Sequence, residues 1–139
     1  MHSTVDAVIR VRYAETDQMG VVYHANYLVW MEVGRVEYYR ARGMRYRDME
    51  QEGVLLAVVE ANCRYLSPAK YDEEVLIRTR IEEANSRKVR FGYELFSSDD
   101  GRRLAEGFTV HVFMGPDRRA RRLPEKYHSL FDIVPGTAI

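Results

Sequence analysis

In the stretch VDAVIRVRYA, Val5, Ala7, Ile9, Val11 and Tyr13 fall on one side of an extended chain, with Asp6, Arg10 and Arg12 on the other. That two-residue period predicts a half-buried first strand. The period changes after residue 25. At about 100° per residue, Tyr27, Trp30, Met31, Gly34, Tyr38 and Ala41 gather into one apolar stripe, with Glu32, Arg35 and Arg40 outside it. A long amphipathic helix is therefore predicted from Ala25 to about Arg42, stopped by Gly43. Gly34 lies inside the stripe, where it costs about 1 kcal/mol of helix propensity relative to Ala. A close approach of the helix backbone to a sheet is the expected compensation.

After a short helix in YRDMEQEG the chain reads as extended. VLLAVVEANCRYL predicts a long strand too apolar at its start to be exposed, and SPAKYDEE turns the chain at Pro68. Val75, Ile77, Thr79 and Ile81 alternate in the next strand, and Val89, Phe91, Tyr93 and Leu95 in the one after it. SSDDGRR carries an Asp-Gly turn signal, and LAEGFTVHVFM completes the hairpin with Leu104, Phe108, Val110, Val112 and Met114 on one face. LPEKYHSLF predicts a short terminal helix opened by Pro124. Five strands and one long helix, in this order and without repeats or a second composition regime, predict one α+β domain over residues 1–139, its antiparallel sheet wrapped around the helix.

Composition narrows the partners. Lys plus Arg number 21 and Asp plus Glu number 21, so no charge excess suggests nucleic acid. Cys63 is the single cysteine, which excludes an internal disulfide and a multi-cysteine metal site and suggests a reducing, cytoplasmic setting. No His/Asp/Glu spacing resembles a metal site, and no apolar run approaches membrane-spanning length. The N-terminal residues show no signal-peptide pattern.

The candidate chemistry sits in ETDQMGVVYHANYLVWMEVGR, residues 15–35. A helix N-terminus offers unpaired backbone N–H groups and the positive end of the helix dipole, so the segment from Tyr23 to Asn26 is suited to hold a carbonyl oxygen as it becomes negative. Asp17 stands seven positions before His24, and Gly20 lets the intervening loop fold back, so a carboxylate and an oxyanion site are expected to face one carbon. This supports acyl-transfer hydrolysis with Asp17 as nucleophile or as general base on water. The plainer readings are an Asx-turn at Asp17 and a helix cap at Asn26. His111, between apolar neighbours in a strand, reads as a satisfied sheet histidine, and His2 and His128 carry no constellation.

YAETDQMGVVYHANYLVWMEVGR resembles the signature of the hotdog-fold acyl-CoA thioesterases, in the branch related to 4-hydroxybenzoyl-CoA thioesterase that includes the YbgC-type proteins. YLSPAKYDEEV is similar to the segment that follows that family's second strand. The resemblance implies a hotdog fold, with Asp17 as the catalytic carboxylate and the thioester carbonyl at the helix N-terminus, the His24 N–H being its main donor. Tyr23 and Asn26 would shape the turn, and HANY resembles the branch that acts on aliphatic substrates. A short to medium acyl-CoA is the expected substrate, with no cofactor. Sites in this family form between subunits, which implies a homodimer or a tetramer built from two dimers, with Tyr65, Ser67 and Pro68 of a partner lining the second wall.

Arg118, Arg119, Arg121 and Arg122 lie close together in PDRRARRLPEK and are candidates to meet the CoA phosphates, or else a solvated loop. Two other readings use the same scaffold: a non-catalytic acyl-CoA or acyl-carrier-protein binding module, and a hotdog hydratase or dehydratase. Thiol release separates both from a thioesterase.

Overall fold

A computed structural model describes residues 3–133; His2 lies outside the described residues. The elements follow in the order β1 (Thr4–Arg10), α1 (Asn26–Ala41), α2 (Tyr46–Gln51), β2 (Leu55–Tyr65), β3 (Glu74–Ala84), β4 (Lys88–Ser97) and β5 (Arg103–Met114), and a 3₁₀ turn at Glu125–Phe131 closes the described chain. The strands form one antiparallel sheet in the order β1-β3-β4-β5-β2, so β1 and β2 are its edges. The predicted terminal helix is thus a 3₁₀ segment, with Pro124 at its N-cap position.

The α1 helix buries Tyr27, Trp30, Met31, Gly34, Tyr38 and Tyr39. It packs on a sheet face made of Val75, Ile77, Thr79 and Ile81 from β3 and Val89, Phe91, Tyr93 and Leu95 from β4, all buried. Both alternations are the ones the sequence predicts. Gly34 sits where helix and sheet come closest: a Cβ there would stand 2.9 Å from Ile77 Cγ2 and would overlap Thr79 Oγ1 outright. The helix ends as expected at Gly43, whose φ of 82° is left-handed and whose N–H donates to Arg40 O at 3.0 Å. Ala41 is exposed, and the stripe takes Tyr39 in its place. Tyr46 of α2 and Phe131 of the 3₁₀ segment both pack against Tyr39 of α1.

The same contact leaves the Thr79 hydroxyl buried without a hydrogen-bond partner among the described residues. An orphaned hydroxyl destabilises, and replacing it with a methyl group of like shape removes that cost. Thr79→Val is expected to raise stability by about 1 kcal/mol, read as a higher midpoint in urea at unchanged slope; a lower midpoint would mean that the hydroxyl is satisfied.

Three strand predictions need correction. The first strand stops at Arg10; Val11 is buried beyond it, but Tyr13, 77 % exposed, belongs to a 3₁₀ turn over Tyr13–Glu15. In β5 the buried positions beyond Leu104 and Ala105 are Thr109, His111 and Phe113, while Phe108, Val110, Val112 and Met114 lie half-buried on the outer face. The cause is a bulge: Leu95 pairs with Ala105 but Phe96 pairs with Arg103, so Leu104 is an extra residue and the alternation changes parity there. Finally, β2 is an edge strand. Leu55, Leu56 and Ala57 are half-buried, but Val58 and Val59 are 53 % and 58 % exposed.

Candidate active site

Residues 16–25 connect the 3₁₀ turn to α1 and fold as a small hairpin of their own. Thr16 bridges Val22, the Asp17 N–H donates to Val21 O at 2.9 Å, and the Gly20 N–H donates back to Asp17 O at 3.0 Å. Gly20 has φ of 79°, a left-handed conformation that glycine adopts without strain. One carboxylate oxygen of Asp17, Oδ1, accepts the Met19 N–H at 2.8 Å, so the residue does form an Asx-turn. Its other oxygen has no hydrogen bond among the described residues.

Val22 N–H donates to Ala69 O at 2.9 Å, and Val21 bridges Lys70, which fastens this loop to the segment after β2. That tie brings the chain's own Tyr65, Ser67 and Pro68 to Asp17. Together with Val22, His24 and Tyr27 they line an open pocket of about 380 Å³. These three residues, expected as a partner's contribution, line the pocket of their own chain. The Tyr65 hydroxyl donates to His24 O at 3.0 Å, and its ring meets the Tyr27 ring edge-on at 5.1 Å between centroids.

Tyr23 O accepts the Asn26 N–H at 3.0 Å and His24 O accepts the Tyr27 N–H at 3.3 Å, so the first helical turn begins here. Asn26 is not the cap. Ala25 holds that position with no side-chain bond, and the Asn26 amide donates instead to Glu15 O at 2.9 Å. The His24 N–H makes no hydrogen bond among the described residues. It is an unpaired donor at a helix start, in a pocket that Asp17 also lines.

Glu15 organises this turn and has no counterpart among the candidates read from the sequence. Its side chain is buried and accepts the Arg12 N–H at 2.8 Å on one oxygen and the Trp30 indole N–H at 3.0 Å on the other. Its backbone oxygen accepts both the Tyr23 N–H and the Asn26 amide at 2.9 Å. One residue thus holds both ends of the hairpin against the helix.

The four arginines are not brought to this pocket. Ala120 bridges Met114, and Met114 pairs with Leu55 at the start of β2, whereas Tyr65 ends that 11-residue strand. At about 3.3 Å per residue the Arg118–Arg122 loop and the pocket stand roughly 30 Å apart in one chain. Arg121 is tied to Gly53 O at 3.0 Å and Arg122 to Ser86 Oγ at 3.1 Å, while Arg118 and Arg119 are exposed.

His111 is half-satisfied. Its Nε2 lies 2.8 Å from Thr109 Oγ1, but its Nδ1 is buried and has no hydrogen bond among the described residues. Burial, with the nearby Arg35 charge adding to it, pushes this imidazole down to about 3. The unfolded chain binds a proton near pH 6.5 that the folded chain refuses, so this group's contribution to stability is full above that pH and falls away as pH drops toward 3. Between pH 7 and pH 4 the loss is about 3 kcal/mol. Melting curves across that window are expected to flatten in His111→Gln; equal slopes in the two proteins would mean that other groups carry the effect.

Among the described residues no cluster of His, Cys, Asp and Glu could hold a metal ion, and no helix is long and apolar enough to cross a membrane.

Residues 11–130 match the model of the thioesterase-like superfamily. A putative acyl-CoA thioesterase, YneP of Bacillus subtilis, is 53 % identical over 89 residues, a stretch that spans 64 % of each chain. A putative esterase of Aquifex aeolicus is 33 % identical over 76 % of this chain and 80 % of its own. Among solved structures, a DHNA-CoA thioesterase from Staphylococcus aureus superposes with a TM-score of 0.89 at 32 % identity, covering 93 % of this chain and 89 % of that one. A hypothetical protein of Thermus thermophilus does so at 0.88 and 40 % identity, covering 94 % and 97 %. With that family model matched over most of its length, the chain belongs to the thioesterase-like superfamily.

Proposed function

We propose that the chain is an acyl-CoA thioesterase that hydrolyses a short- to medium-chain aliphatic acyl-CoA to the free acid and CoA. One observation carries this reading: the unpaired His24 N–H at the start of α1 shares a pocket with a carboxylate, Asp17, that has one oxygen unbonded. The thioester oxygen accepts from the His24 N–H, where the helix dipole favours the negative charge that develops. Asp17 then acts in one of two ways. It attacks the carbonyl carbon, expelling the CoA thiolate and leaving a mixed anhydride that water opens; or it takes a proton from a water that attacks directly. Both routes end in one carboxylic acid and one thiol, and neither calls for a cofactor.

Dimerisation, and pairing of dimers into tetramers, fits apolar side chains left open elsewhere on α1 and the β2 edge, among them Val29 and Val59. A phosphate role for Arg118, Arg119, Arg121 and Arg122 then requires a loop from another copy. A hotdog arrangement around α1 and a cytoplasmic setting, where Cys63 stays reduced, complete the reading.

The test is thiol release from acyl-CoAs running from acetyl to palmitoyl, with benzoyl and 4-hydroxybenzoyl included. Turnover peaking among the short and medium aliphatic chains supports the reading. Tight binding without thiol release would make the chain a binding module, and water addition without thiol release a hydratase.

A further inference from the structure

Leu28, Glu32, Arg35 and Tyr39 recur at three- and four-residue intervals after His24, so they form one stripe along α1. The β2 strand runs beside that stripe. Residues directly opposite in an antiparallel ladder share a face. The pairing of Leu56 with Phe113, Val58 with His111, Ala61 with Thr109 and Tyr65 with Ala105 therefore turns these β2 side chains toward the helix. Val58 and Tyr65 nevertheless remain 53 % and 47 % exposed. A pocket opens on this side of the molecule at each end of the stripe.

One is the pocket of Asp17, His24 and Tyr65. The other is a cavity of about 270 Å³ bounded by Glu32, Arg35, Tyr39, Leu56, Val58 and His111. Arg35 follows His24 by 11 residues, about 16 Å of helix rise. That span is longer than a single aromatic ring and suits an extended chain.

The polar groups at the far end form one chain of contacts. A guanidinium can only donate, so the Tyr93 hydroxyl accepts from Arg35 Nη1 at 3.0 Å. Tyr93 lies 2.6 Å from Thr109 Oγ1 and Thr109 2.8 Å from His111 Nε2, and the assignment in which Tyr93 donates to Thr109 and Thr109 to His111 gives the Tyr93 proton a partner. A relay running in this direction leaves the neutral imidazole protonated on Nδ1, the atom that is buried and unbonded. Arg35 makes this one hydrogen bond and no ion pair among the described residues, so further N–H groups of its guanidinium are open as well. The cavity thus offers donors from Arg35 and His111, with the exposed Glu32 carboxylate at its rim as an acceptor. A carboxylate entering there would face Glu32, and a bare methyl end would leave desolvated N–H groups unpaired. A hydroxyl accepts from the donors and donates to Glu32.

We propose that this cavity receives the far end of an aliphatic acyl chain and selects chains that carry a hydroxyl there. The proposal rests on the thioesterase reading and names a substrate class for it. A site built to hydrogen-bond a hydroxyl rejects the analogue lacking it more strongly than an apolar pocket discriminates by size.

The experiment compares kcat/KM for octanoyl-, decanoyl- and dodecanoyl-CoA with that of each ω-hydroxy counterpart. In the wild type the hydroxylated chain is expected to be preferred about tenfold at the length that reaches the cavity. Taking the ratio within one preparation cancels any change in the folded fraction, so buried variants remain informative. Arg35→Met and His111→Leu are expected to bring the ratio close to one. His111→Asn, whose amide can place an N–H near the position of Nδ1, should retain part of the preference. Equal rates for plain and hydroxylated chains at all three lengths, or a preference that survives Arg35→Met, would overturn the proposal and leave the thioesterase reading standing. No thiol release from any of the six would remove both.

Discussion

Asp17→Asn is expected to release thiol from acyl-CoA about three orders of magnitude more slowly than the wild type while melting at the same temperature. The argument for an intact fold is geometric. The Asx-turn needs an oxygen at Oδ1 to accept the Met19 N–H, and an asparagine carbonyl supplies one. The other Asp17 oxygen, unbonded among the described residues, becomes an amide nitrogen that can neither attack an acyl carbon nor take a proton from water. Structure and chemistry at this residue thus rest on different atoms, and the substitution separates them. A variant as active as the wild type would reduce Asp17 to a turn residue. One that melts early would show that the charge also holds the loop.

Glu15→Ala is expected to cost about 3 kcal/mol of stability, roughly 10 °C in Tm for a chain of this size, and to slow turnover as well. It strands two donors, the Arg12 N–H and the Trp30 indole N–H, and the indole is buried. Turnover is expected to fall because losing both side-chain anchors frees the backbone at position 15 to shift, and its oxygen holds Tyr23 and Asn26, on either side of His24 and Ala25. Trp30→Phe made in the Glu15→Ala background should cost less than in the wild type, since the indole N–H is already unpaired there. Strictly additive costs would break the proposed link between the two side chains.

The local parts of this arrangement are legible in the sequence. Asp17, Gly20, Tyr23 and Asn26 occupy ten consecutive positions, and a turn followed by a helix start fixes their relation whatever the rest of the fold does. Gly34 announces its close contact because a glycine in an apolar helix stripe has no other physical reason to be there. The β3 and β4 alternations hold because the irregularity in their ladder inserts its extra residue on β3 beyond Ile81, the last of that strand's four alternating positions, and leaves β4 unbroken.

What is not legible depends on long-range pairing. The side chains of Glu15 and Trp30 meet across a loop, and no period or spacing marks them. The β5 alternation points the wrong way because Leu104, one inserted residue, changes its parity; the signal available was the apolar pair Leu104 and Ala105, which fits neither face alone. The four arginines are close in sequence, but their place depends on the direction of β2 and β5, which puts them at the far end of the sheet. His111 reads as an ordinary strand histidine until its neighbours Thr109, Tyr93 and Arg35 are assembled from three elements.

The central claim is that the helix start at His24 and the carboxylate of Asp17 cleave a thioester. The most direct measurement follows free CoA thiol and free decanoic acid together in one time course of the wild-type protein with decanoyl-CoA. The account predicts that both appear, in equal amounts, over many turnovers. Neither product above the uncatalysed rate would contradict it.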